Sequence, residues 1–333
     1  DSLYRDRSCG ALPMTGSELA MACLLDAAVG DPRWFPHPVR WMGSLINWCD
    51  RRIHPRLLSS SKQRMAGALL AIALPAGAYE AGALFIWLGN SIDPLWGTAA
   101  TVLLAWTTLA ARDLIDHVAA VYRALQSVSL TEARSAVAKI VGRDTEEMDE
   151  SDIVRATVET IAESTADGIV APLFYLIIGG APLALAYKAV STLDSMIGHL
   201  DDRYRWFGWA SARLDDAANF IPARITALLL IFSAGIVSRS WPVMQRTWQI
   251  VLRDGGQHPS PNSGRPEAAM AGALGVQLGG TNRYDGLPIE RPSLGDPGQP
   301  LTRAHIGRAL TLMIWASLIG VLCGMGWLLM VKG

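Results

Sequence analysis

Uncharged apolar runs alternate with compact polar stretches along this chain, and the runs set the first expectation. Residues 309–331 form 23 positions without a charge, 65–89 carry only Glu80, and 95–111 are uncharged over 17 positions. A helix of about 20 apolar residues crosses a hydrocarbon core, so these three runs are predicted transmembrane helices. Asn90, Asp93 and Pro94 mark a short turn that makes the first two a helical hairpin. Residues 220–237 are apolar apart from Arg224 and read as membrane-embedded, whereas 19–30 form a shorter apolar segment holding Asp26.

The run at 169–187 is uncharged over 19 residues, but Pro172, Gly179, Gly180 and Pro182 interrupt it. A full span would put the flanking polar stretches on opposite faces of the membrane. A hairpin broken at Gly179 and Gly180 would keep them together, and non-helical backbone at that depth is tolerated only when buried in protein or lining a cavity. The sequence favours the re-entrant or broken form. The fold class is therefore an all-α integral membrane protein, a polytopic helical bundle whose site is built from cytoplasmic polar loops.

Composition agrees. Half of the 333 residues are hydrophobic and 18% are charged, against roughly a quarter in an average soluble domain. The net charge of 29 − 30 = −1 shows none of the basic excess of nucleic-acid binders. Between residues 33 and 64, seven Lys or Arg (Arg33, Arg40, Arg51, Arg52, Arg56, Lys62, Arg64) face one acid, Asp50. The positive-inside rule then places 31–64 in the cytoplasm, the 90–94 turn outside, and 112–168 and 239–308 in the cytoplasm. Cys9, Cys23, Cys49 and Cys323 lack metal-ligand spacing and read as free thiols. The first 16 residues hold two Arg and two Asp but no apolar core, so no cleavable signal peptide is expected.

Four polar islands hold the candidate chemistry. In DAAVGDPRWFPHPVRWMG, Pro36 and Pro38 fix the backbone around His37; a catalytic imidazole and a rigid interfacial loop anchored by Trp34 and Trp41 are both open. In GRDTEEMDESDIVRATVETIAESTADG, Asp149 is a plausible N-cap for a helix to about Thr165. Arg155, Glu159, Glu163 and Asp167 recur every fourth residue, carrying carboxylates along one face toward the apolar run. The third island sets Asp194, Asp201, Asp202, Asp215 and Asp216 among Lys188, Arg203, Arg205, Arg213 and Arg224. That mixture suits an anionic substrate held with a divalent cation, and equally an interfacial salt-bridge surface. In the fourth, His258, Ser260, Asn262 and Ser263 precede a helix predicted from Pro266 to about Leu274, a natural anion site. No P-loop, dinucleotide fingerprint, nucleophile elbow or HExxH motif occurs.

The strings LLDAAVGDPRWFPHPVRWMG, VGRDTEEMDESDIVRATVETIAESTADGIVAPLFYLIIGGAPLALAYKAVSTLDSMIGH, FGWASARLDDAANFIPARITALL and HPSPNSGRPEAAMAGALGVQLGG resemble the CobD/CbiB family, in the family order. Those are membrane-bound adenosylcobinamide-phosphate synthases. The resemblance implies a ligase that joins adenosylcobyric acid to (R)-1-aminopropan-2-ol or its O-phosphate with ATP and Mg²⁺. It also implies a multi-pass protein of the cell inner membrane with the site facing the cytoplasm, in association with other cobalamin-assembly membrane enzymes. On the matching motifs, His37, Glu163, Asp167, Asp194 and His258 are the expected catalytic residues. Glu163, Asp167 and Asp194 are the expected metal ligands, with Glu159 behind them. Arg143, Lys188, Arg213, Arg224, Asn219, Ser260 and Asn262 are the expected substrate and phosphate contacts. Ser164 and Ser191 stand where the family pattern has Asn, and serine lacks the amide's paired donor and acceptor. A non-catalytic AmpE-like membrane sensor and a corrinoid carrier or transporter are the competing readings.

Overall fold

The computed structural model describes residues 14–54, 59–127, 129–199, 201–284 and 286–332; Cys9, Arg56 and most of the segment read for a signal peptide lie outside them. The described chain is a helical bundle with one small β-hairpin. Among the described residues, five helical stretches are long and apolar enough to cross a membrane: Ser60–Ile92, Pro94–Gln126, Glu150–Ile197, Trp209–Ser238 and Ala304–Val331.

Local chemistry sets the helix ends. Helix α1 (Gly16–Val29) starts in a capping box between Thr15 and Glu18. Helix α2 (Pro38–Arg52) takes Pro38 in its first turn, directly after His37. Ser59 caps α3 (Ser60–Ile92), and Asp93 both ends that helix and caps α4 (Pro94–Trp106) by accepting the Leu95 N–H. The hairpin turn is thus where the polar residues put it. Helix α4 has 13 residues, about 20 Å at 1.5 Å per residue, and is shorter than the 95–111 run. Thr107 and Thr108 turn their hydroxyls onto backbone carbonyls there, and the chain restarts as α5 (Ala111–Gln126). Bulky side chains such as Leu69, Ile72, Phe85, Trp87, Leu322 and Leu329 lie exposed on α3 and α12 (Ala304–Lys332), the surface expected against lipid.

After α6 (Leu130–Val137), Asp149 caps α7 (Glu150–Ser164) with a reciprocal Asp152 bond. Ile153, Val154, Val158 and Ile161 on its inner side are fully buried, leaving the carboxylates on the other. A π-helical turn, Thr165–Val170, follows; such insertions re-aim side chains and recur at functional sites. Helix α8 (Ala171–Ile197) is broken at Gly180, whose φ of 71° and ψ of −172° are open essentially to glycine alone. The chain reverses there. Tyr175 and Tyr187, 12 residues apart, stack with ring centroids at 4.8 Å, where a straight helix would set them about 18 Å apart.

Helix α9 (Trp209–Ser238) packs against both halves of this region, and α10 (Trp241–Asp254) and α11 (Gly264–Leu274) close the polar end. Helix α11 begins two residues before the predicted Pro266. Strands β1 (Leu278–Tyr284) and β2 (Leu287–Leu294) form an antiparallel hairpin, so the 239–308 region holds helices and a sheet rather than loops alone.

Candidate functional site

Two polar clusters meet along α7 and the π turn. The first surrounds a cavity of about 170 Å³ between α7, α11 and the hairpin, lined among others by Arg143, Glu159, Glu163, His258, Glu267, Asn282 and Arg291. Glu159 is buried and accepts from Arg143 Nη2 at 2.6 Å and from the Gly279 N–H at 2.8 Å. Arg143 also donates to Asn282 Oδ1, which ties the loop after α6 to β1. One turn further along α7, the half-buried Glu163 lines the cavity together with Glu267 of α11. Burial, reinforced by the charges of Glu163 and Glu159, holds the Glu267 carboxyl well above the usual carboxylate range.

His258 is contested. Its Nδ1 accepts the Ser260 N–H at 3.0 Å, while Arg291 Nη1 points at its Nε2 from 2.7 Å. Both neighbours are obligate donors, and a neutral imidazole offers one lone pair. Protonation cannot help, and burial with the Arg291 charge pushes the imidazole pKa down. Arg291 therefore faces the cavity without a good acceptor at Nη1; its Nη2 donates to Tyr284 Oη at 3.1 Å. An incoming anion would supply the missing acceptor.

The second cluster lies where the π turn meets α8 and α9. Asp167, Lys188 and Asp215 act on one another electrostatically, and the charge of Asp194 reaches both Asp167 and Asp215. Asn219 Nδ2 donates to Asp215 Oδ2 at 3.0 Å, and Tyr187 Oη donates to Asn219 Oδ1 at 2.8 Å. Among the described residues no carboxylate comes within 4.0 Å of Lys188 Nζ, and the charges of Asp167 and Asp215 act on the ammonium from further off. His37 borders this cluster: its Nε2 lies 3.6 Å from Asp31 Oδ1, its Nδ1 is buried without a partner, and Lys188 acts on it. Burial lowers its pKa; Arg40 and Lys188 reinforce that shift, while Asp31 opposes it.

Four further expected contacts make bonds within the protein. The Arg213 side chain is exposed, 3.9 Å from Asp216. Arg224 lies over the Phe220 ring at 3.4 Å and donates to the Phe220 carbonyl. Ser260 Oγ accepts the N–H groups of Asn262 and Ser263, and Asn262 Nδ2 donates to the Asp216 carbonyl at 2.8 Å. Ser260 and Asn262 thereby shape the loop that presents His258.

Among the described residues no three His, Cys, Asp or Glu side chains converge in metal-holding geometry. Glu163, Asp167 and Asp194 do not form a ready-made cage. Mg²⁺ needs only one or two protein carboxylates when phosphate oxygens and waters complete its shell. Glu163 and Asp167, half-buried and one turn apart, fit that smaller demand.

A family model described as CobD/Cbib protein matches residues 19–313. The chain belongs to the CobD/CbiB family. It is 48% identical over 310 residues to the "Cobalamin biosynthesis protein CobD" of Geobacter metallireducens, covering 92% of this chain and 95% of that protein. It is 43% identical to the CobD of Yersinia enterocolitica over 93% of this chain and 96% of that one. With the "Cobalamin biosynthesis protein CbiB" of Salmonella typhimurium the identity is 41%, over 94% and 99%. No solved structure gives a significant match.

For this CobD/CbiB member, the structure adds Glu267, Arg291, Asn282 and Tyr187 to the candidate residues named from sequence. Asp215 and Asn219, four apart on α9, share a face; that spacing was readable. Arg291 was not, because it reaches the cavity only through the pairing of β2 with β1.

Proposed function

We propose that this protein forms the amide bond between a carboxylate of adenosylcobyric acid and the amine of (R)-1-aminopropan-2-ol or its O-phosphate, using ATP and Mg²⁺. Family membership supports a role in cobalamin biosynthesis, and the five apolar helical stretches support a multi-pass membrane protein. The ligase chemistry rests on the first cavity. Its two arginines, one of them poorly satisfied at His258, together with a half-buried carboxylate, suit an anionic group being activated beside a cation.

In this reading a carboxylate oxygen of the corrinoid attacks the γ-phosphorus of ATP and ADP leaves. The amine nitrogen then attacks the acyl carbon and phosphate departs with the carboxylate oxygen. Mg²⁺ neutralises polyphosphate charge when bound, with Glu163 and Asp167 as its protein ligands. Arg143, Arg291 and Lys188 hold phosphate oxygens. The amine attacks as its free base and the departing phosphate takes up its proton, while His258, neutral at pH 7 with its Nδ1 lone pair on the Ser260 N–H, positions the loop beside Arg291. Asp194 tunes the field at Asp167 and Asp215, and His37 orients the loop over Lys188. The site faces the cytoplasm of the cell inner membrane, where ATP is present, and other membrane enzymes of cobalamin assembly are its partners.

The test is purified protein with adenosylcobyric acid, aminopropanol phosphate, ATP and Mg²⁺, followed by mass spectrometry of the corrinoid. The expected product carries one amide-linked aminopropanol phosphate. The AmpE-like sensor and the corrinoid carrier or transporter readings both require no product.

A further inference from the structure

Behind the wall formed by Arg143 and Asn282 lies a second, larger chamber of about 750 Å³, between the 142–149 loop and the hairpin. Arg143 and Asn282 line both spaces, so the two chambers share a partition. Their sizes differ in a way that decides what each can take. Pockets for ligands of ordinary organic size run roughly 300–1,000 Å³. The smaller cavity, at about 170 Å³, has room for reacting phosphate and carboxylate groups but not for a nucleoside.

The large chamber is braced rather than loose. The Asp144 N–H donates to the Arg283 carbonyl at 2.9 Å, the Gly286 N–H donates to Asp144 Oδ2 at 2.7 Å, and Arg283 Nη1 pairs with Glu147 Oε2 at 2.7 Å. Glu146 lines the same space and is exposed, with no hydrogen bond or ion pair among the described residues. A free carboxylate accepts sugar hydroxyls, as the acid of a dinucleotide site accepts those of ribose. The Arg283 guanidinium, half exposed beside Glu147, offers a flat face on which a purine stacks.

We propose that the larger chamber binds the adenine nucleoside of ATP, with the polyphosphate passing Arg143 into the smaller cavity. This rests on the ligase reading above. Adenosine enters the reaction from two sources, ATP and the adenosyl group of the corrinoid, and the partition favours ATP, whose phosphates alone connect the two spaces.

The experiment uses the full-length protein in detergent micelles, with equilibrium binding of Mg·ATP and of Mg·tripolyphosphate, and with KM values for ATP and corrinoid. Glu146→Trp fills the chamber from an exposed position that makes no bonds, and Thr281→Trp fills it from the facing strand. Each is expected to weaken ATP binding and raise the KM for ATP at least tenfold, leaving tripolyphosphate binding and the KM for corrinoid within twofold. ATP binding at the wild-type level in both variants would overturn the assignment. So would a rise in corrinoid KM alone, which would give the chamber to the corrinoid's adenosyl group. If the wild-type protein consumes no ATP and makes no amide, the ligase reading itself fails, a result distinct from either.

Discussion

The hydroxyl of Tyr187 lies 3.3 Å from the carbonyl oxygen of Asp167, twenty residues earlier in the chain. A continuous helix would hold them about 30 Å apart, so the contact exists only because the chain reverses at Gly180. That reversal returns Lys188 and Asp194 to the electrostatic neighbourhood of Asp167 and gives the third polar island a common site with the second.

Gly180→Ala tests the reversal. The backbone there is costly for any residue with a Cβ, by about 1–3 kcal/mol. The variant is expected to show a lower thermal midpoint, and its residual folded fraction a reduced turnover. An unchanged midpoint would mean that the break tolerates side chains.

The reversal was readable in advance because Gly179, Gly180 and Pro182 interrupt an otherwise uniform apolar run. The long spans were readable for the same reason: composition over 20 residues is a strong signal. Glu163 and Asp167 were readable from four-residue spacing. Glu267, beside Pro266 at a helix start, looks like an ordinary first-turn acid, and only the packing of α11 on α7 makes it a partner of Glu163. Arg213 sits two residues before Asp215, about 200° around the helix, and its exposed side chain lies 3.9 Å from Asp216 instead.

Arg143→Ala removes the only side-chain cation within 4 Å of Glu159 among the described residues. Breaking a buried pair from one side costs about 3–5 kcal/mol. We expect loss of activity together with reduced thermal stability. The double variant Arg143→Ala/Glu159→Gln should recover stability without recovering activity. Recovery of both would leave Arg143 with a purely structural part.

Lys188→Ala is expected to raise the KM for ATP or for the phosphorylated amine by roughly tenfold to a hundredfold, the loss of one charge-assisted contact of about 1.5–3 kcal/mol. The protein should remain folded, since among the described residues the ammonium makes no ion pair within 4.0 Å. Unchanged kinetics would remove Lys188 from phosphate binding.

Glu267 gives the fold a pH dependence of definite sign. Its folded pKa is raised well above the unfolded value of about 4.3, so the stability it contributes is present below that value and is lost as pH rises toward the folded pKa. Glu267→Gln keeps the shape and cannot ionise. Thermal midpoints measured from pH 5 to pH 9 should decline less steeply with pH in the variant than in the wild type. Parallel curves would show Glu267 ionising freely in the folded protein.

Activation of the corrinoid carboxylate by ATP is the claim on which the rest depends, and isotope transfer reads it directly. Adenosylcobyric acid labelled with ¹⁸O in the reacting carboxylate is incubated with purified protein, aminopropanol phosphate, ATP and Mg²⁺. The account predicts one ¹⁸O atom in the inorganic phosphate released for each amide formed; label in AMP, or amide formed with unlabelled phosphate, would contradict it.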